Sequence, residues 1–153
     1  MNARRPLKIA LVCSDGGHLA EMLALSGVFG GHSCFYLTYG GGMADSLRPA
    51  YFFSRFLKNP FRQLAVWFRI ARIFAKERPA VVFSTGAELA VPAFYVGKFL
   101  FGCRLIYLEC SAQVNTPSLT GRAVYPVTDL FLVQWEPLLA KYGSRAQYRG
   151  GLI

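Results

Sequence analysis

LKIALVCSDGGHLAEML, residues 7–23, decides how the rest of this chain is read. Residues 8–13 are a short apolar run of the length of a buried strand. Two glycines and a histidine come next, and Leu19, Met22 and Leu23 then recur at helical spacing over residues 18–25. Strand, glycine turn and helix in this order open an alternating α/β fold. The turn is neither the GxGxxG dinucleotide fingerprint nor a P-loop, so it implies neither a Rossmann cofactor nor a Walker mechanism. Gly16 and Gly17, beside Ser14, let backbone amides approach a polar ligand, and the helix start favours an anionic group. The unperturbed pKa of histidine as a residue type lies near neutrality, so a histidine at this position suits a general base, His18 being the candidate; the competing reading is that it only caps the helix start.

The alternation continues along the chain. Strands are expected at 33–39, 80–83, 104–108 and 130–133, with Gly40, Gly41 and Gly42 a flexible loop after the second strand. Helices are expected at 59–78, where Pro60 suits the first turn and Pro79 stops the helix, at 86–101, where Pro92 is a candidate kink, and at 136–142, stopped at Gly143. This pattern predicts a Rossmann-like parallel sheet wrapped on both faces, one domain over residues 1–153. The Gly150-Gly151 pair reads either as the lip of a two-part structure or as a flexible tail.

Only 16% of the 153 residues are charged, against roughly 25% in ordinary soluble domains, while 54% are hydrophobic. More apolar surface than usual is therefore expected, facing a partner or a membrane. The net charge of +9 favours anionic partners. Nucleic acid is the poorer candidate, because zinc-finger spacing and RNP-like strands are absent and the basic residues concentrate on one amphipathic segment. Between Arg48 and Arg78 there are eight basic residues and one acid, Glu77. Arg62, Arg69, Arg72 and Lys76 share one helix face, with Leu64, Trp67, Phe68, Ala71 and Phe74 on another and Phe52, Phe53, Phe56 and Phe61 before or at its start. Such interleaving suits an anionic membrane surface; it equally suits a helix packed on the sheet with a solvated basic face. Cys13, Cys34, Cys103 and Cys110 form no CxxC pair and only His18 and His32 could join them, so buried free thiols in a reducing cytoplasm are expected, and no metal site. Neither a secretory signal nor a membrane-spanning helix is expected.

Ligands of an open parallel sheet bind at the carboxyl ends of its strands. Three more segments fall there: Ser84, Thr85 and Gly86 in a small polar turn; Glu109 after RLIYL, either a hydroxyl-binding group or a salt-bridge partner; and the hydroxyl-rich loop SLTGR, with Ser118, Thr120 and Arg122.

SDGGHLAEML, KNPFRQL, VVFSTGA, LIYLEC, SLTGR and TDLFLVQWEPL occur in the order seen in a two-part glycosyltransferase family. Over about residues 7–152 the chain resembles the membrane-anchoring subunit of the eukaryotic UDP-N-acetylglucosamine transferase that adds the second sugar to dolichol diphosphate. It is more similar still to bacterial capsule and exopolysaccharide proteins of that type. The resemblance implies the N-terminal, acceptor-side half of a split GT-B glycosyltransferase. A partner polypeptide would be the C-terminal half and hold most of the UDP-sugar. The acceptor would be a polyprenyl-diphosphate-linked sugar at the cytoplasmic face of the membrane. By similarity to the single-chain enzyme of peptidoglycan synthesis, His18 is the catalytic base of an inverting displacement, and Glu109 binds acceptor or supports His18. Ser84, Thr85 and Gly86 line the cleft, and QWEPL serves the structure or the subunit interface. No cofactor is implied, and the lack of a DxD pair agrees with a metal-independent mechanism. Asp15 stands where relatives often have a small residue, and Cys110 where serine is common. Eukaryotic relatives carry an N-terminal transmembrane anchor that is not expected here, so attachment would rest on residues 52–76 with 94–101. The alternatives are a non-catalytic scaffold that recruits and activates the catalytic partner, and a stand-alone Rossmann-like binding protein.

Overall fold

A computed structural model describes residues 5–55 and 59–152. Seven strands form a single sheet in the order β3-β2-β1-β4-β5-β6-β7, every neighbouring pair parallel. They are β1 (Lys8–Val12), β2 (Ser33–Tyr39), β3 (Ala50–Phe53), β4 (Val81–Ser84), β5 (Arg104–Leu108), β6 (Leu130–Val133) and β7 (Ala146–Tyr148). Helices α1 (Gly17–Ala24), α2 (Pro60–Glu77), α3 (Ala90–Phe101), α4 (Leu119–Val124) and α5 (Pro137–Tyr142) connect them. The predicted Rossmann-like α/β architecture is therefore present.

The apolar run of β1 has side chains on both faces because the sheet is covered on both. Ala10 and Val12 join the larger core, built with Ile70, Phe74, Phe94 and Leu138 from α2, α3 and α5. Ile9 and Leu11 join a smaller core with Leu19 and Met22 of α1. The long helix begins as its sequence dictates. Asn59 Oδ1 accepts hydrogen bonds from the amides of Phe61 (3.0 Å) and Arg62 (3.2 Å), and Pro60 sits in the first turn. It ends at Arg78, left-handed at φ 51°, before Pro79.

The structure departs from expectation in four places. Residues 50–53 are an edge strand and not a prelude to the long helix; Phe53 is buried and pairs in register with Tyr39. The helix expected from Gly86 begins only at Ala90, because Gly86 and Ala87 hold positive φ (130° and 79°). Pro92 therefore lies in the first turn, where its missing N–H costs nothing, and introduces no kink. SLTGR is not a loop: Ser118 caps α4, its Oγ accepting from Gly121 N at 2.8 Å. The chain end adds a seventh strand, β7, beside β6.

Candidate active site

The strand order reverses between β1 and β4, and the crevice at their carboxyl ends is where an open α/β sheet receives a ligand. The two turns leaving these strands meet there. His18 Nδ1 lies 2.8 Å from the carbonyl oxygen of Thr85, and Thr85 Oγ1 donates to the carbonyl of His18 at 2.7 Å. A carbonyl only accepts, so Nδ1 carries the proton and the ring lone pair is on Nε2. A side chain at residue 86 would run into the imidazole, and φ there is 130°, so Gly86 is required on both counts. Ser84 Oγ, fully buried, bridges the carbonyl and amide of Gly86 at 3.1 Å each. The hydroxyls of Ser84 and Thr85 are thus committed to the turn and to α1; they aim the imidazole.

Gly16, at φ 85°, makes the turn into α1. Among the described residues no side chain caps this helix, and a Cβ at Gly16 or Gly17 would meet none of them within 4 Å. The half-buried His18 therefore borders an open space floored by backbone, with the first amides of α1 beside it. Asp15 turns to the other side, where a Cβ on Gly42 would lie 3.0 Å from its carboxylate.

The end of β5 is built differently. Glu109 is 0% exposed. One carboxylate oxygen accepts from Cys110 N (3.1 Å); the other accepts from Ser118 N (3.2 Å), Ser118 Oγ (3.0 Å) and the Tyr142 hydroxyl. Burial first, and then the carboxylate itself, raise the Tyr142 phenol far above its ordinary value, which keeps it a donor. A Cβ on Gly121 would collide with this cluster. Glu109 and Ser118 thus face protein, and no salt bridge to arginine forms there among the described residues. Arg122 is exposed and lines a 360 Å³ depression with Pro117, Tyr125, Lys141 and Tyr142; Thr120 is half-buried on the same helix.

Three more residues complete this edge: Gln134 and Trp135, from the QWEPL segment already given a structural or interface role, and Glu21, which the sequence reading did not single out. Glu21, three residues after His18 and 6% exposed, accepts from Ser111 N at 2.8 Å through Oε1. Gln134, also buried, donates to the carbonyl of Glu109 (3.1 Å) and accepts from Leu152 N (2.9 Å). The Trp135 indole donates to the carbonyl of Ser111 at 2.7 Å. A buried glutamate on an otherwise apolar helix face was the one available sequence signal for Glu21. The tail residues 149–152 and Phe29, Phe83, Leu108 and Leu132 enclose a 260 Å³ apolar hollow beside β6.

Residues 54–152 match the family described as oligosaccharide biosynthesis protein Alg14 like. This chain belongs to that family. The UDP-N-acetylglucosamine transferase subunit ALG14 of Candida albicans is 43% identical over 83 residues, a stretch covering 51% of this chain and 37% of that protein. The subunit of the same name from Saccharomyces cerevisiae is 28% identical over 99% of this chain and 79% of its own length. Among solved structures, Acinetobacter baumannii MurG superposes with a TM-score of 0.78 at 20% identity, over 95% of this chain and 45% of MurG. A UDP-N-acetylglucosamine 2-epimerase from Rickettsia bellii gives 0.71 at 12% identity, over 96% of this chain and 45% of that one. The fold is that of one Rossmann-like half of a GT-B enzyme.

In this Alg14-like chain the basic-aromatic helix α2 splits its faces differently from the sequence reading. Phe74 is buried, and Trp67 is half-buried against Tyr95 with ring centroids 6.2 Å apart. The outward side chains are Phe61 (84% exposed), Leu64 and Phe68 (71%). Arg69 lies over the Phe53 ring at 4.5 Å and Lys76 over Tyr51 at 5.7 Å, so part of the basic face leans on the sheet edge. Arg62 and Arg72 are exposed and form no ion pair among the described residues. Phe56 lies outside the described residues. On α3, Phe94 is buried in the core and so presents no surface, whereas Phe99 and Leu100 are exposed. Among the described residues no helix is long and apolar enough to cross a membrane.

Proposed function

We propose that this chain is the acceptor-side subunit of a two-component glycosyltransferase. With a partner that binds the UDP-sugar, it would transfer the sugar to a polyprenyl-diphosphate-linked acceptor in polysaccharide or exopolysaccharide synthesis. The observation that carries this reading is the contact of His18 Nδ1 with the Thr85 carbonyl, which leaves the lone pair on Nε2 of a half-buried ring at the switch point of the sheet. The acceptor hydroxyl gives its proton to Nε2 as its oxygen bonds to the anomeric carbon. The bond from that carbon to the UDP oxygen breaks, the anomeric centre inverts, and UDP leaves with the electron pair. The open floor at Gly16 and Gly17, with the amides of α1, suits the acceptor diphosphate. Glu109 and Ser118 act at one remove, by holding the loop after β5.

Phe61, Leu64 and Phe68 beside Arg62 and Arg72 supply a surface for the anionic cytoplasmic leaflet. The apolar hollow by the tail is suited to the partner half. The deciding experiment measures transfer of labelled N-acetylglucosamine, glucuronic acid or galactose from UDP into organic-extractable lipid, with this chain alone and with its partner. Transfer only with both chains, lost in His18→Ala while partner binding persists, is the expected result. Full activity of His18→Ala overturns the base role and leaves a second reading, a membrane scaffold that activates the catalytic partner. That reading is favoured by the internal commitment of Ser84, Thr85, Glu109 and Ser118. Sedimentation with anionic vesicles, lost in a Phe61→Ser/Phe68→Ser variant, tests the membrane surface.

A further inference from the structure

Beneath the crevice, His18, Glu21 and Cys110 converge from α1 and the loop after β5. A ring nitrogen, a carboxylate oxygen and the thiol sulfur all lie within 4.8 Å of one another. Glu21 is more than nine-tenths buried, and its Oε2 has no hydrogen-bond partner among the described residues, although Oε1 is satisfied by Ser111 N. A buried carboxylate oxygen without a well-formed hydrogen bond is costly; the Cys110 thiol beside it is only a weak donor, and a cation shared by the two would satisfy both. The imidazole is already in the form a metal takes: Nδ1–H is held by a backbone carbonyl at 2.8 Å, which orients the ring and frees Nε2.

We propose that His18 Nε2, Glu21 Oε2 and Cys110 Sγ form a site for a thiophilic divalent cation of the zinc type, its fourth position open to the crevice. One nitrogen, one carboxylate oxygen and one thiolate make a donor set that zinc accepts, and three protein ligands with an open position are the pattern of an accessible site. Metal–ligand lengths of about 2.0–2.3 Å place tetrahedral donors roughly 3.5 Å apart, so side-chain rotations that close the triangle by little more than about 1 Å suffice. Binding replaces the S–H bond of Cys110 by a metal–sulfur bond and releases one proton to solvent. The ion occupies the lone pair that the proposed base uses, so it would inhibit transfer; its binding does not depend on that function being correct.

Cobalt(II) titration of the reduced full chain is the test, with zinc as competitor. One equivalent should bind with a thiolate-to-cobalt band in the near ultraviolet, and zinc should displace it. Cys110→Ser should remove the band and Glu21→Gln should weaken binding by about tenfold or more. Absence of the band, or a band that survives Cys110→Ser, overturns the proposal. A second measurement needs no variant: zinc should slow alkylation of Cys110 in the native chain about tenfold while leaving the half-buried Cys34 unaffected, as read by peptide mass spectrometry. Equal rates with and without zinc overturn it as well.

Discussion

His18 and Glu109 stand at the ends of two buried strand units, in sequence contexts that look alike, and the fold treats them oppositely. The imidazole is anchored through one nitrogen, which leaves the other without that bond, and it stands beside two glycines whose surroundings are clear. The carboxylate is sealed, with both oxygens taken by protein donors. The difference lies in the segment that leaves each strand. After β1, two glycines without side chains keep the space clear. After β5, the chain folds back so that the capped start of α4 and Tyr142 of α5 close over the glutamate. A polar residue after a strand marks the functional edge of the sheet, but the neighbouring element decides whether it reacts or braces.

Substitutions sharpen this contrast. Glu109→Ala removes the acceptor for Ser118 and Tyr142 in a buried site and should cost about 3 kcal/mol or more, read as a fall in the thermal midpoint. A loss below about 1 kcal/mol would mean that the cluster is not a brace. Gly86→Ala forces a side chain into positive φ and into the imidazole; it should cost about 1–3 kcal/mol and loosen His18, seen as a shifted ring resonance in NMR. At the opposite edge of the sheet, Lys8 pairs with Glu77 at 2.8 Å. The Lys8 hydrogen bond first, then that from Tyr51, hold the Glu77 carboxyl below its ordinary value. A depressed folded-state value means that the contribution is present above the unfolded-state value near 4.5 and is lost as pH falls through the folded one. Glu77→Gln should therefore flatten the acid limb of the stability profile, by about 1 kcal/mol for a half-buried pair at the surface, and change nothing below it. His18→Ala should have the smallest effect on stability, below about 1 kcal/mol in a melt, since it removes one hydrogen bond of a half-buried ring. If it destabilised as much as Glu109→Ala, the contrast between the two strand ends would collapse.

Periodicity identified the strands whose apolar runs are buried on both faces, and Asn59, Pro60 and Pro79 account for the caps of α2. It missed β3 and β7, short edge strands whose few residues carry no pattern of their own, and α4, where Gly121 reads as a loop because its reason is a contact with Glu109 and Tyr142. The outward side of α2 was also misread at Trp67. Leu64, Trp67 and Phe68 are close in helical angle, and only the position of Tyr95 on α3 draws Trp67 inward.

The sequence by itself determined the alternation of elements, hence the parallel sheet, and the glycine turns that put polar residues along its carboxyl edge. Local steric and hydrophobic rules act over a few residues, and these features are local. Tertiary structure alone decided that Thr85 sets the tautomer of His18, that Glu109 is closed off, and that Glu21 and Cys110 meet beneath the imidazole. Those outcomes depend on which strands become neighbours and on how neighbouring elements pack over their ends, and no short window of sequence contains that information.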